Sequence, residues 1–182
     1  LINDGAGRFT RADDRLPTPI ATRVITEKFT SVAFLDVNGD SKPDLFLGTH
    51  GDGGAENSKF LLNDGSGRFS AAILTPEPQI TGQYSINDTL LTDLNDDGRL
   101  DMVLSVVQAS RGQLQFLINE GGGQFSDRTS SFLSDPGIES PQESTQRADV
   151  NGDGLLDLIV RYGTKRPVYL NDGQGHFVNL PQ

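Results

Sequence analysis

The sequence predicts an all-β fold assembled from four-stranded antiparallel units, on the strength of three observations. First, LDVNGDSKPDLFL recurs as TDLNDDGRLDMVL and ADVNGDGLLDLIV, with the leading aspartates Asp36, Asp93 and Asp149 spaced 57 and 56 residues apart. Second, another motif interleaves with it four times, as LINDGAGRF, LLNDGSGRF, LINEGGGQF and YLNDGQGHF, ending at Phe9, Phe69, Phe125 and Phe177. Third, the 182 residues hold 21 Gly and 9 Pro with turn-type punctuation throughout, and no window carries a sustained helical stripe of apolar residues. Two motifs alternating at one period define a repeat architecture.

Each repeat reads as four strands. Strand A, such as Ser31–Leu35, leads into an acidic loop. Strand B is the continuous apolar run after it: Leu45–Leu47, Met102–Leu104 or Leu158–Val160. Such a run suits a strand covered on both faces. Strand C is Phe60–Leu62, Phe116–Ile118 or Val168–Leu170, and a tight Asn-Asp-Gly hairpin joins it to strand D, which carries the recurring Phe. A sheet that is apolar on both faces must stack on copies of itself, and radial stacking of such units gives a β-propeller. The inventory is a half-blade at residues 1–10 and complete blades at about 30–72, 87–128 and 144–180. Propellers typically have four to eight blades. About three and a half blades in a single propeller domain, opening on Leu1 rather than Met, are therefore expected to be a segment of a larger propeller. The remainder would come from the parent chain or a partner chain.

A formal charge of −10 argues against a nucleic-acid partner, which selects for a basic face. Ten of the acids sit in three loops: Asp36, Asp40 and Asp44; Asp93, Asp96, Asp97 and Asp101; Asp149, Asp153 and Asp157. Three divalent ions there would leave a net charge of about −4, ordinary for a soluble domain. With no Cys, disulfides, thiolate metal sites and Cys nucleophiles are excluded. No apolar run approaches a membrane span, and no signal peptide is visible.

The spacing D-x-N-x-D-x-x-x-D offers oxygen at positions 1, 3, 5 and 9, and position 7 (Lys42, Arg99 or Leu155) is free to give its backbone carbonyl. Oxygen-only ligation with several carboxylates suits a hard cation, and flexible high coordination fits Ca²⁺ better than Mg²⁺. An EF-hand needs a bidentate Glu at position 12, which here is Leu47, Leu104 or Val160 between strands, so that motif is rejected. The competing reading is a set of solvated turns without metal, and three loops in register disfavour it.

The acidic loop between apolar strands, together with N-D-G-x-G-x-F, resembles the FG-GAP/VCBS repeats of integrin-α-type β-propellers, over essentially the whole chain. The resemblance implies about three Ca²⁺ ions, one per complete repeat, held by Asp36, Asn38, Asp40 and Asp44; by Asp93, Asn95, Asp97 and Asp101; and by Asp149, Asn151, Asp153 and Asp157. The family's Gly at position 6 is present as Gly98 and Gly154 but is Ser41 in the first loop. A left-handed Ser costs on the order of 1 kcal/mol, so the first site is expected to be the weakest.

Up-and-down strand order puts the acidic loops and the C–D hairpins on one side, and the variable B–C and D–A loops on the other. Variable loops on a regular scaffold are where specificity resides. Ligand contacts are therefore expected on the face opposite the metals or in the grooves between blades. The candidates are His50, Asp52, Arg111, Arg161 and above all Arg147, which replaces Phe34 and Leu91 of the sister strands. His50 reads as a solvated loop residue, and Asn87-Asp88-Thr89 fits a glycosylation sequon.

No nucleophile elbow, P-loop, zinc-protease or dinucleotide motif is present, and the paired aspartates are absorbed by the repeat. The leading expectation is a non-enzymatic, calcium-stabilised adhesion or interaction module with a protein or glycan ligand, secreted or on the cell surface. There Ca²⁺ is abundant enough for moderate sites. The alternatives are the propeller portion of a secreted carbohydrate-active enzyme and a spacer of a surface protein.

Overall fold

A computed structural model describes residues 1–17, 29–50, 58–74, 84–108, 111–133, 137–138 and 144–180. Three antiparallel meanders dominate it. The first runs β3 (Phe29–Leu35), β4 (Asp44–Thr49), β5 (Lys59–Asn63) and β6 (Phe69–Leu74). The second runs β7 (Ser85–Thr92), β8 (Asp101–Gln108), β9 (Arg111–Gly121) and β10 (Gln124–Asp127). The third runs β12 (Ser144–Ala148), β13 (Asp157–Arg161), β14 (Val168–Asn171) and β15 (Phe177–Asn179). Ahead of them, β1 (Ile2–Asn3) and β2 (Phe9–Thr10) pair as an isolated hairpin. This is the expected all-β arrangement of propeller blades: a two-stranded half-blade followed by three complete four-stranded units.

Register follows from the apolar pattern. In the first blade Leu35 faces Asp44, and Leu45 faces Leu61; in the second Thr92 faces Asp101, and Met102 faces Leu117; in the third Ala148 faces Asp157, and Leu158 faces Tyr169. Each acidic loop thus starts and ends at one rung of the A–B ladder. Because alternate residues point to opposite faces, strand B buries both faces, and Asp44 through Thr49 are buried without interruption.

The blades stack through those faces. Ala33, Leu35, Phe46 and Phe60 of the first blade pack with Ile86, Met102, Leu104 and Leu117 of the second. The opposite face of the second blade, with Val103, Leu114 and Phe116, packs with Leu158, Val160, Tyr169 and Phe177 of the third. Hydrogen bonds tie neighbouring inner strands together: Ser31 Oγ to Thr89 Oγ1 at 2.8 Å, Thr30 Oγ1 donating to Ile86 O at 2.6 Å, and Thr145 N donating to Asp88 Oδ2 at 2.7 Å.

Two elements depart from the expectation of a plain loop over 127–144. A single helical turn, α1 (Thr129–Phe132), follows β10, and the short strand β11 (Gly137–Ile138) pairs with β9. The turn is fixed by Asp127 Oδ1, which accepts from Thr129 N at 2.9 Å and from Thr129 Oγ1 at 2.6 Å. Its effect is to insert Phe132 between blades two and three, stacked on Phe116 with ring centroids 5.2 Å apart. Thr-Ser-Ser-Phe has no helical periodicity to announce it; tertiary packing makes this turn.

Candidate functional site: acidic loops and inter-blade clefts

The three acidic loops share one hydrogen-bond pattern. The position-6 N–H donates to Oδ2 of the leading aspartate: Ser41 to Asp36 at 2.7 Å, Gly98 to Asp93 at 2.8 Å and Gly154 to Asp149 at 2.9 Å. The N–H of position 5 donates to the Asn at position 3: Asp40 to Asn38, Asp97 to Asn95 and Asp153 to Asn151. The N–H of position 7 donates to the aspartate at position 5: Lys42 to Asp40, Arg99 to Asp97 and Leu155 to Asp153. Short polar side chains that bond their own backbone two residues on favour such turns. Position 6 requires a left-handed backbone, with φ of 64° at Ser41, 84° at Gly98 and 87° at Gly154.

Position 9 is different in kind. Asp44, Asp101 and Asp157 are fully buried, and each bridges two segments. Asp44 accepts from Val37 N and Asn63 N, Asp101 from Leu94 N and Asn119 N, and Asp157 from Val150 N and Asn171 N, at 2.8–3.1 Å. The carboxylate therefore clamps the acidic loop to the end of strand C. Asn63, Asn119 and Asn171 complete the clamp. Each donates its side-chain amide to the carbonyl just before the buried aspartate (Pro43, Leu100 or Leu156) and accepts from the glycine two residues on (Gly65, Gly121 or Gly173). In the sequence alone this Asn reads as turn chemistry. The signal that could have found its second role was its recurrence directly after strand C even where Glu120 replaces the following Asp.

Electrostatics separates the loop positions. Asp97 is held below its ordinary value of 3.8, chiefly by the Arg99 N–H, and Asp149 chiefly by the Gly154 N–H. At Asp40, burial acts to raise the value but is outweighed by the Lys42 N–H and ammonium with Asn38. In the hairpins Asp64 is lowered chiefly by the Ser66 hydroxyl and Asp172 chiefly by the Gln174 N–H. Asp101 goes the other way: burial raises it and Asp97 and Asp93 add to the rise, against the N–H groups of Asn119 and Leu94.

The sign of the resulting pH dependence follows from linkage. A depressed carboxyl contributes stability that is present above 3.8 and lost as pH falls through its folded-state value, whereas the raised Asp101 contributes in the opposite direction. Among the described residues five lowered aspartates outnumber one raised. In chelator, the melting temperature is therefore expected to fall as pH drops below 3.8. Melts recorded against pH check this, and a profile flat through that window contradicts it.

The donor set fits a hard cation in its chemistry: it is all oxygen, with three carboxylates and one amide per loop. Among the described residues no three Asp, Glu or His side chains converge as a ready-made cluster. Local cations partly balance the first two loops, where Lys42 Nζ lies 3.2 Å from Asp40 and Arg99 Nη2 lies 2.5 Å from Asp97. The third loop has Leu155 at that position and no basic residue of its own.

Among the described residues, two clefts open between blades at the acidic-loop end, and they occupy equivalent positions in successive repeats. One, of ≈ 290 Å³, lies between Asp36 and Gly39 of the first blade and Arg99 and Asn119 of the second. The other, of ≈ 280 Å³, lies between Asp93 and Asp96 of the second blade and Leu155 and Asn171 of the third, and Arg147, Phe132 and Phe177 complete its walls. Arg147, on inner strand β12, donates to Thr92 Oγ1 at 2.7 Å.

The remaining candidates lie elsewhere. His50 is half-buried rather than solvated: it bridges to Ser85 of the next blade, with its Nδ1 against Ser85 Oγ. Asp52 lies outside the described residues. Arg111 opens strand β9. Arg161 ends β13, exposed, with its Nε 3.4 Å from Ser144 Oγ. The Asn87-Asp88-Thr89 sequon falls within inner strand β7, half-buried, where Asp88 and Thr89 make the inter-blade bonds described above.

Blades stacked through shared cores, with a repeated acidic loop at one end, define a β-propeller repeat module. Residues 36–104 and 93–160 match the FG-GAP-like repeat, and the chain belongs to that family. It is also similar to a T-cell immunomodulatory protein homolog of Plasmodium yoelii yoelii, 29% identical over 137 residues. That match takes in 69% of this chain and 19% of the relative, so the chain spans about a fifth of the relative's length. Among solved structures it resembles an Agrocybe aegerita lectin described as specifically recognising non-reducing terminal N-acetylglucosamine, with a TM-score of 0.52. That likeness has 21% sequence identity, covers 84% of this chain and 38% of the lectin chain, and speaks to the fold.

Proposed function

We propose that the chain is a calcium-stabilised, non-catalytic binding module of the extracellular space, presenting its surface to a protein or glycan ligand. The observation that carries this reading is the threefold acidic loop, whose position-9 carboxylate is buried in every copy. In the second loop that carboxyl is pushed up by burial and by Asp97 and Asp93, a crowding of negative charge that a divalent cation relieves. Asp36, Asn38, Asp40 and Asp44, with their counterparts in loops two and three, would hold the ion together with the carbonyls of Lys42, Arg99 and Leu155. The third loop, without a basic residue of its own, is expected to bind most tightly and the first, with Ser41, most weakly.

Glycan stands among the ligand classes because of the lectin likeness, and adhesion because of the family. No helix among the described residues is long and apolar enough to cross a membrane. The described concavities at the acidic-loop end lie between blades, which keeps the inter-blade grooves among the proposed places of ligand engagement beside the opposite loop face. The test is a calorimetric titration of Ca²⁺ into chelator-stripped protein, with melts in parallel. Uptake of about three ions with a raised melting temperature is expected, because a ligand that binds only the native form stabilises it. A folded chain that takes up none overturns the reading.

A further inference from the structure

Ten asparagines occur in the chain, and only Asn38 and Asn151 precede a glycine. Both stand at position 3 of an acidic loop. The second loop breaks the pattern, because there Asn95 precedes Asp96. That residue runs against the backbone: Asp96 holds a left-handed φ of 60°, where Gly39 and Gly152 stand at 82° and 81°. A side chain in that region costs on the order of 1 kcal/mol, less for Asp than for most residues. Crowding does not impose glycine at the sister positions either, since a Cβ placed on Gly39 or Gly152 meets nothing within 4 Å.

An asparagine followed by glycine has a chemistry of its own. With no Cβ beside it, the glycine nitrogen can reach the asparagine Cγ. A new N–Cγ bond forms, the Cγ–Nδ2 bond breaks, and ammonia leaves carrying the proton from the glycine nitrogen. Solvent water then opens the five-membered imide at either carbonyl. The products are aspartate and, mainly, isoaspartate, whose main chain is longer by a methylene.

The folded loops commit the reacting atoms elsewhere. Gly39 N donates to Asp36 Oδ1 at 2.8 Å, and Gly152 N to Asp149 Oδ1 at 2.7 Å. The asparagine carbonyls are occupied as well: Asn38 Oδ1 accepts from Asp40 N and Asn151 Oδ1 from Asp153 N, both at 3.0 Å. Reaction therefore needs the loop to open. Both glycines are exposed, and the carboxylates gathered in each loop repel one another whenever no cation is held.

We infer that Asn38 and Asn151 are deamidation sites, that a cation held in the loop protects them, and that Asp96 exempts the second loop. The protective half rests on the calcium reading above, in which Asn38 and Asn151 give their side-chain oxygens to the ion. Isoaspartate shifts Asp40 or Asp153 by one bond relative to the leading aspartate, which ends ligation by that loop. Ageing without metal therefore leaves the second loop as the durable site.

The experiment incubates the full chain at mildly alkaline pH, in chelator and in Ca²⁺. Each asparagine is followed by peptide mass mapping, with enzymatic methylation to report isoaspartate. In chelator, Asn38 and Asn151 are expected to convert while Asn95 stays intact. Ca²⁺ at about ten times its dissociation constant leaves about a tenth of the loops empty, so both rates should fall roughly tenfold. Calorimetric Ca²⁺ uptake by the aged protein should drop from about three ions to about one. Two variants exchange the determinant. Asp96→Gly should make Asn95 convert and should melt no lower than the parent, and Gly152→Asp should spare Asn151. Asn95 converting as fast as its sisters, or an Asp96→Gly chain that keeps Asn95 intact, overturns the inference. Equal rates in chelator and in Ca²⁺ that calorimetry shows to be bound also overturn it. If no Ca²⁺ binds, the calcium reading falls and takes the protective half with it, while the contrast among loops in chelator still decides the deamidation sites.

Discussion

Replacing Asp101 with Ala is expected to lower stability by roughly 4 kcal/mol, measured by denaturant unfolding in chelator so that no cation contributes. The carboxylate is fully buried and accepts from Leu94 N and Asn119 N, both at 2.8 Å. Its removal orphans two backbone donors, at about 1–3 kcal/mol each, and leaves a cavity beside Asn119, itself 1% exposed. An opposing effect exists, since deleting a buried charge beside Asp97 and Asp93 relieves repulsion. Asp97 is exposed and Asp93 half-buried, and solvent screens such interactions to less than about 1 kcal/mol, so the orphaned donors win. For a chain of this length that corresponds to a fall of roughly 10 °C in melting temperature. A loss below about 1 kcal/mol would mean the clamp is dispensable without metal and that this aspartate serves the cation alone.

How far the sequence reaches can be judged at this same residue. The alternation of acidic loop and Asn-Asp-Gly hairpin was legible as a period, and it gave the strand order, the blade count and the end of the sheet at which the loops cluster. Asp101 was legible as an oxygen donor at position 9. Its burial was not, because spacing says which residues share a loop and nothing about which of them the next strand covers. The same limit hid the Asn119 clamp, whose partners lie 18 to 19 residues away in sequence. Phe132 was illegible for another reason: a four-residue helical turn has no periodicity to detect, and its placement depends on one aspartate, Asp127, capturing Thr129. Arg147 stood out against Phe34 and Leu91 at once, but the cleft it lines needs Asp96 from the preceding blade, 51 positions earlier. The twin clefts emerge only once two blades stand side by side.

Phe116→Ala tests what holds those blades together, and its expected cost is about 3–5 kcal/mol. Phe116 is fully buried on β9 and stacks on Phe132 at 5.2 Å and 7°, with Phe177 of the third blade 5.5 Å away. Strand register puts it opposite Val103, and the same core includes Leu158, Val160 and Tyr169 of the next blade. One ring therefore touches its own sheet, the inserted helical turn and the neighbouring blade. Truncation removes apolar contact from all three, and the site cannot collapse without moving two sheets towards each other, so the upper part of the range is expected. Pairing it with Phe132→Ala in a double-mutant cycle isolates the stacked contact, for which about 0.5–1.5 kcal/mol of coupling is expected beyond area burial. Unfolding monitored in denaturant reads both quantities. A Phe116→Ala cost under about 1.5 kcal/mol would mean the second and third blades are held chiefly by hydrogen bonds such as Ser105 Oγ with Thr145 Oγ1, Thr145 N to Asp88 Oδ2 and Arg147 Nη1 to Thr92 Oγ1. The wall of the cleft would then be free to shift without loss of the fold.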